Sequence, residues 1–331
     1  MMDNQKNPDL TKALRKAKRR QSVKMILISV VTVLVLLPAG YVLCNKLSER
    51  HSNELNDFLF VRNAIAEPNV SIDSQVLVNS SPIGGSVVSN RSKNIAGYVV
   101  PWDTLTNHYT MFRSKFDYNE MHGGWHITKE NLYFYNRQTK QLLAQFYHPN
   151  IKNYYDGWSE EDDIDLPQDL QKMSGDTAEV SEVALSFDQP YLWSEVKKQF
   201  PDDVNVVWLY LLSDDTLDES SGPQGTEVLG FQAYNRETED LTTSFEGFLK
   251  NLEHYNGGKN QPMIGDFIKN YEGFLEKNHK KTFDEVEILG VMITGQNKHL
   301  KKLEKLPFVR TSSIGVTAEM SPYIIPEKQG E

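Results

Sequence analysis

The chain has 331 residues, 39% of them hydrophobic, with a formal net charge of −10 and one cysteine. That length accommodates one large domain or two small ones beyond a membrane segment. A lone cysteine excludes internal disulfides and zinc sites built on cysteine ligands, so an exported part must rest on its own core. The acidity argues against nucleic acid as a partner.

Residues 1–24 hold Lys6, Lys12, Arg15, Lys16, Lys18, Arg19, Arg20 and Lys24 against only Asp3 and Asp9. TKALRKAKRR consists mostly of good helix formers, which predicts a short basic helix. Leu10, Ala13 and Leu14 offer it a small apolar contact, and with Arg15, Lys16, Lys18, Arg19 and Arg20 they form the candidate partner-binding segment. As a plain topology signal, the same charges would simply face an anionic leaflet.

Met25 to Cys44, MILISVVTVLVLLPAGYVLC, carries no charge. About 20 residues at 1.5 Å each cross a hydrocarbon core of about 30 Å. Met25, Ile26, Leu27, Leu34, Leu36 and Leu37 frame this predicted transmembrane helix, and Cys44 closes it. Only Ser29, Thr32 and Tyr41 are polar, and a helix satisfies its own backbone groups. The run exceeds a signal-peptide core, and no A-x-A cleavage site follows. Tyr41, Val42 and Leu43 are too large for lipidation at Cys44. The basic flank places the N-terminus in the cytoplasm and the bulk of the chain outside, as a single-pass membrane protein. Beyond the span the net charge is −16, given eight basic and two acidic residues before it and none within it. Anionic lipid would repel such a domain.

Residues 45–69 read as a continued helix or stalk. From 70 to 155 the chain is β-rich: VSIDSQVLVNSSPIGGSVVS alternates and breaks at Ser80-Ser81-Pro82 and Gly84-Gly85, predicting short strands. ENLYFYNRQTKQLLAQFYH predicts a hairpin turning at Asn136-Arg137-Gln138. An acidic linker over 156–176 contains DGWSEEDDID and Pro167.

Residues 177–325 parse further. EVSEVALSF sets Val183, Leu185 and Phe187 on one strand face. Leu192, Val196 and Phe200 predict a short amphipathic helix ending at Pro201. NVVWLYLL is a central strand, followed by Val228–Phe231. Phe245, Phe248, Leu249, Leu252 and Tyr255 form a helical stripe, as do Phe267, Ile268, Tyr271, Phe274 and Leu275. EILGVMIT is another buried strand, and Leu300 and Leu303 mark a short helix before Pro307. In the last strand Ile314, Val316, Ala318 and Met320 share a face. The class is α+β, with a ferredoxin-like βαβ-(αα)-βαβ domain at the C-terminal end.

No arrangement supports catalysis. His122 and His126 flank Gly123-Gly124, a turn rather than a metal-binding helix. Ser194 and Lys197 match S-x-x-K, yet the companion S-D-N and K-T-G elements are missing, and Lys281-Thr282-Phe283 is no substitute. Asp156–Asp165 lacks calcium-loop spacing. Trp125, Trp158, Trp193 and Trp208 could stack on sugars, but the last two lie on apolar faces. Neither an enzyme nor a cofactor is expected.

The succession EVSEVALSFDQPY, NVVWLYLL, VLGFQAY, EILGVMITG and VRTSSIGVTAEMSPY resembles the C-terminal sigma factor regulator domain of membrane-bound anti-sigma factors. KALRKAKRR followed by the apolar span is similar to the matching N-terminal segment. The resemblance covers most of 10–60 and 176–323. It implies restraint of an extracytoplasmic-function sigma factor at the inner membrane face, with an outer domain that receives an envelope signal. It supplies no catalytic residues. Relatives carry a longer cytoplasmic region than residues 1–24, which are too few for an independent core. Those residues could order as one helix on a partner. The alternative is an envelope sensing module acting through a partner membrane protein, without sigma contact.

Overall fold

The computed structural model describes residues 8–116, 123–127, 132–151, 165–175, 178–213, 225, 227–233, 240–255, 265–278 and 281–328. Helix α1, Pro8–Ala66, runs unbroken for 59 residues. At 1.5 Å per residue it is about 88 Å long. The expected basic helix, the span and residues 45–66 are therefore one element, and Pro38 lies inside it. Every residue from Met25 to Leu43 is exposed apart from Gly40. Leu34 and Leu37 are 66% and 68% exposed, which water would penalise and lipid would not. Among the described residues α1 alone is long and apolar enough to cross a membrane, as in a single-pass membrane protein.

Beyond the span α1 is no free stalk. Leu55, Phe58, Leu59, Val61, Ile65 and Ala66 are buried in the principal core. Their spacing is that of an amphipathic helix face. The pattern is in the sequence, in the shadow of the more apolar span.

The chain then turns back along α1 as β1 (Val70–Ser81) and β2 (Gly84–Ile95), two 12-residue strands in place of the short ones expected. The turn at Pro82-Ile83 ends in Gly84, φ +148°, where a Cβ would lie 2.3 Å from the Tyr109 carbonyl oxygen. Strands β3 (Tyr98–Pro101), β4 (Leu105–Thr110) and β5 (Ser114–Lys115) complete an antiparallel sheet of order β1-β2-β4-β5, with β3 also on β2. Strands β6 (Gly123–Ile127) and β7 (Leu132–Asn136) pair separately. The predicted turn does form, with the Lys140 N–H donating to the Asn136 carbonyl at 2.8 Å. Its return arm makes only the bridge Tyr135–Leu142 before leaving to pack Ala144 and Phe146 on the second sheet.

After the one-turn α2 (Asp169–Lys172) come β8 (Glu179–Leu192), α3 (Trp193–Val196), β9 (Val204–Leu211) and β10 (Gly230–Gln232). Then follow α4 (Leu241–Tyr255), α5 (Gly265–Asn278), β11 (Glu287–Gln296), α6 (Asn297–Leu300) and β12 (Val309–Glu319). The strands form a second sheet of order β10-β9-β11-β8-β12, antiparallel throughout. Both its faces are covered. Val206, Leu209 and Leu211 of β9 join the core shared with α1 and α4, while Val207, Trp208 and Tyr210 pack with Ala144 and Phe146.

Two expectations change. The helix over Leu192–Phe200 shrinks to α3 and a single 3-10 turn, because Leu192 still belongs to β8. The shared face of β12 is split by a bulge. Ile314 pairs with Val183 and Thr317 with Ser181, so Gly315 and Val316 together oppose Glu182. Ile314 packs against the principal core, whereas Val316 joins Ile95, Trp102 and Val180.

Gly290→Ala is expected to destabilise by about 1–3 kcal/mol or more. Its Cβ would sit 2.3 Å from the Leu185 carbonyl oxygen in the middle of the sheet. Gly247→Ala on α4 has open space and should stabilise by up to about 1 kcal/mol. Thermal melts of the two purified variants would check the opposite signs.

Candidate functional site

Where α1 meets the two sheets, a cluster of charged side chains is sealed from solvent. Pro68 ends the helix and Asn69 follows with φ 53°, a conformation asparagine tolerates. The Ala66 carbonyl, otherwise an orphan of the helix end, accepts a hydrogen bond from Val228 N–H at 2.9 Å.

Glu67 is the centre. Arg62 of α1 donates to its Oε1 through Nη1. Arg91 of β2 donates from Nη1 to both carboxylate oxygens, at 2.9 and 2.7 Å. Arg91 also donates to Asp103, from Nη2 to Oδ1 and from Nε to the carbonyl oxygen at 3.0 Å. The Arg62 Nε lies 3.6 Å from Glu227 Oε1, and its guanidinium stands 4.8 Å from the Phe116 ring centre. Burial alone would raise the Glu67 pKa, but the two guanidiniums outweigh it and hold the group down at about 2.

Alongside lies a second pair. Lys93 Nζ of β2 donates to Glu182 Oε1 of β8 at 2.7 Å and stands 4.6 Å from the Trp102 ring centre. Asn69 Nδ2 donates to the other Glu182 oxygen at 2.7 Å. Lys93 and Glu182 are 1% and 0% exposed, so each is a full charge held only by its neighbours. The bulge in β12 makes the room: a Cβ on Gly315 would come within 2.5 Å of Glu182 Oε1.

The arrangement suits mechanical coupling better than chemistry. It links α1, the first sheet and the second sheet through charged hydrogen bonds whose partners cannot reach water. Sliding α1 against either sheet would leave buried charge uncompensated.

A cleft of about 280 Å³ opens beside this junction, lined by Asn63, Asn69, Trp208, Phe231, Thr243 and Asn251, with Glu67 in its wall. Trp208 Nε1 and Asn63 Oδ1 are buried there without a hydrogen-bond partner among the described residues.

The sequence-derived candidates lie elsewhere. Ala13, Leu14, Arg15, Lys16, Lys18, Arg19 and Arg20 are all exposed on α1, and Leu10 lies in its first turns. Ser194 and Lys197 are exposed at α3 and the turn after it. His126 is exposed on β6, whereas His122 and residues 156–164 of the acidic run, Trp158 among them, fall outside the described residues. Trp193 stacks on Phe200 with ring centres 6.0 Å apart. Among the described residues no group of His, Cys, Asp or Glu is arranged to hold a metal.

Arg62, Glu67, Arg91, Lys93, Asp103 and Glu182 were not legible as a site. Glu182 alternates with Val183 and so reads as solvent-facing. The signal available was a charge inside each apolar pattern, Arg62 within the Phe58–Ile65 stripe above all.

A helix long and apolar enough to cross a membrane thus runs unbroken into a two-sheet body. Residues 11–100 match the family model described as Sigma factor regulator N-terminal, and residues 170–316 that described as Sigma factor regulator C-terminal. Together they span more than two-thirds of the chain, which belongs to the sigma factor regulator family. Its role is in sigma factor regulation, and the family is regulatory rather than catalytic. The N-terminal match reaches past the span to include β1, β2 and most of β3. No curated protein and no solved structure matches the chain.

Proposed function

We propose that the chain is a membrane-anchored anti-sigma factor. Its N-terminus lies in the cytoplasm, where Leu10–Arg20 contact an extracytoplasmic-function sigma factor, and the outer body receives an envelope signal. The observation that carries this reading is the continuity of α1, whose exposed basic end and buried last turns belong to one rigid element. The family match supports it, and the basic flank supports the orientation. The cleft beside Glu67 is where a signal would be felt, because whatever enters it touches the same turn that ties α1 to both sheets. We read the order β12-β8-β11-β9 as a ferredoxin-like sheet extended by β10, in a C-terminal unit of residues 177–325.

A pull-down from membranes with the intact chain, beside one lacking residues 1–24, tests the contact. A sigma factor recovered only with the intact chain is the expected result. Recovery unchanged by the deletion, or none at all, overturns direct gripping by the basic segment. A membrane protein recovered instead would mark an indirect route.

A further inference from the structure

We propose that the turns β1–β2 and β4–β5 form an apolar tip that rests in the bilayer interface beside α1, its partner being the lipid surface itself. The proposal rests on α1 crossing the membrane.

The hairpin β1–β2 runs back along α1 towards the span. Ser48 Oγ donates to the Ser81 carbonyl at 3.2 Å, and His51 Nδ1 lies 2.9 Å from the Thr110 carbonyl. Met111 N–H donates to the Ile83 carbonyl at 3.1 Å, tying the two turns together. Ser48 follows Cys44 by four residues, a rise of about 6 Å, within the headgroup layer that flanks the hydrocarbon core. Ser48 itself is only 2% exposed, covered where the turn meets α1.

At that depth the tip shows apolar side chains to its surroundings. Ile83 is 68% and Phe112 77% exposed, and Leu47 on α1, next to Ser48, is 37% exposed. Two bulky residues at the apices of adjoining turns are costly in water and favourable at a lipid interface. Lys46, Arg50, Arg113 and Lys115 are exposed on this stretch of α1 and at the β4–β5 turn and its following strand, against Glu49 and the Glu54 that pairs with Arg50 at 2.9 Å. That local basic excess opposes the acidity of the outer body where it approaches headgroup phosphates.

The test uses the full chain in vesicles of phosphatidylcholine and phosphatidylglycerol. In a Cys44→Ser background, single cysteines replacing Phe112, Ile83, Leu34 or Lys197 carry a nitroxide, and its collisions with oxygen and a water-soluble nickel chelate are compared. Labels at 112 and 83 should be shielded from nickel several-fold relative to 197, and less than the label at 34. Free access of nickel to 112 and 83, with 34 still shielded, overturns the tip and leaves the span intact. If 34 is as open as 197, the span fails and the placement falls with it.

Discussion

Glu182→Ala is expected to destabilise the two-sheet body by about 3–5 kcal/mol, the cost of leaving a buried charge without its partner. Lys93 Nζ, 1% exposed, would keep only the Trp102 face, and Asn69 would lose its carboxylate acceptor. For a body of this size the melting temperature should fall on the order of 10 °C. Lys93→Met alone should cost a similar amount, since Glu182 would then hold one amide donor. The double variant Lys93→Met with Glu182→Ala removes both buried charges together. It should lose much less than the two single losses added, a coupling that a double-mutant cycle reads directly. Strict additivity would show that the two side chains do not support each other.

Acid should open the same junction. Glu67 has an ordinary pKa of 4.5 and a folded value of about 2, so the unfolded chain takes up its proton first as pH falls. The stability this difference supplies is fully present above pH 4.5 and is lost as pH falls through about 2. By linkage it amounts to roughly 3 kcal/mol. Protonation would leave Arg62 and Arg91 without their shared anion. Glu67→Gln should therefore weaken the chain at neutral pH and flatten its acid limb between those two values. Denaturant midpoints at stepped pH would check this, and a variant with the wild-type acid limb would sink the assignment.

The layout of elements was readable to different depths. Unbroken apolar runs located the span, β9 and β11, and one-faced periods located β8, α4 and α5. It missed the buried end of α1, since twenty uncharged residues outweigh a weaker stripe that follows them. It also misjudged β12: Ile314 and Val316 are two apart, yet a bulge sends them to different cores. The junction was the least legible. Glu182, Lys93 and Arg91 each sit where a strand's polar face should meet water, and only the approach of the other sheet takes that water away. Such a site is a property of how distant segments meet, and no window of one strand contains it.

The unbroken course of α1 also sets a phase. Each residue turns the helix by about 100° and advances it 1.5 Å. With Leu55, Phe58 and Ile65 fixed in the core, the compass direction of Leu14 and Arg15 at the other end is fixed as well. One residue inserted between Cys44 and Leu55 would barely change the reach of the basic end, yet would swing it about a quarter-turn round the axis. The protein thus resembles a key, in which the bearing of the teeth is set by how the bow is held.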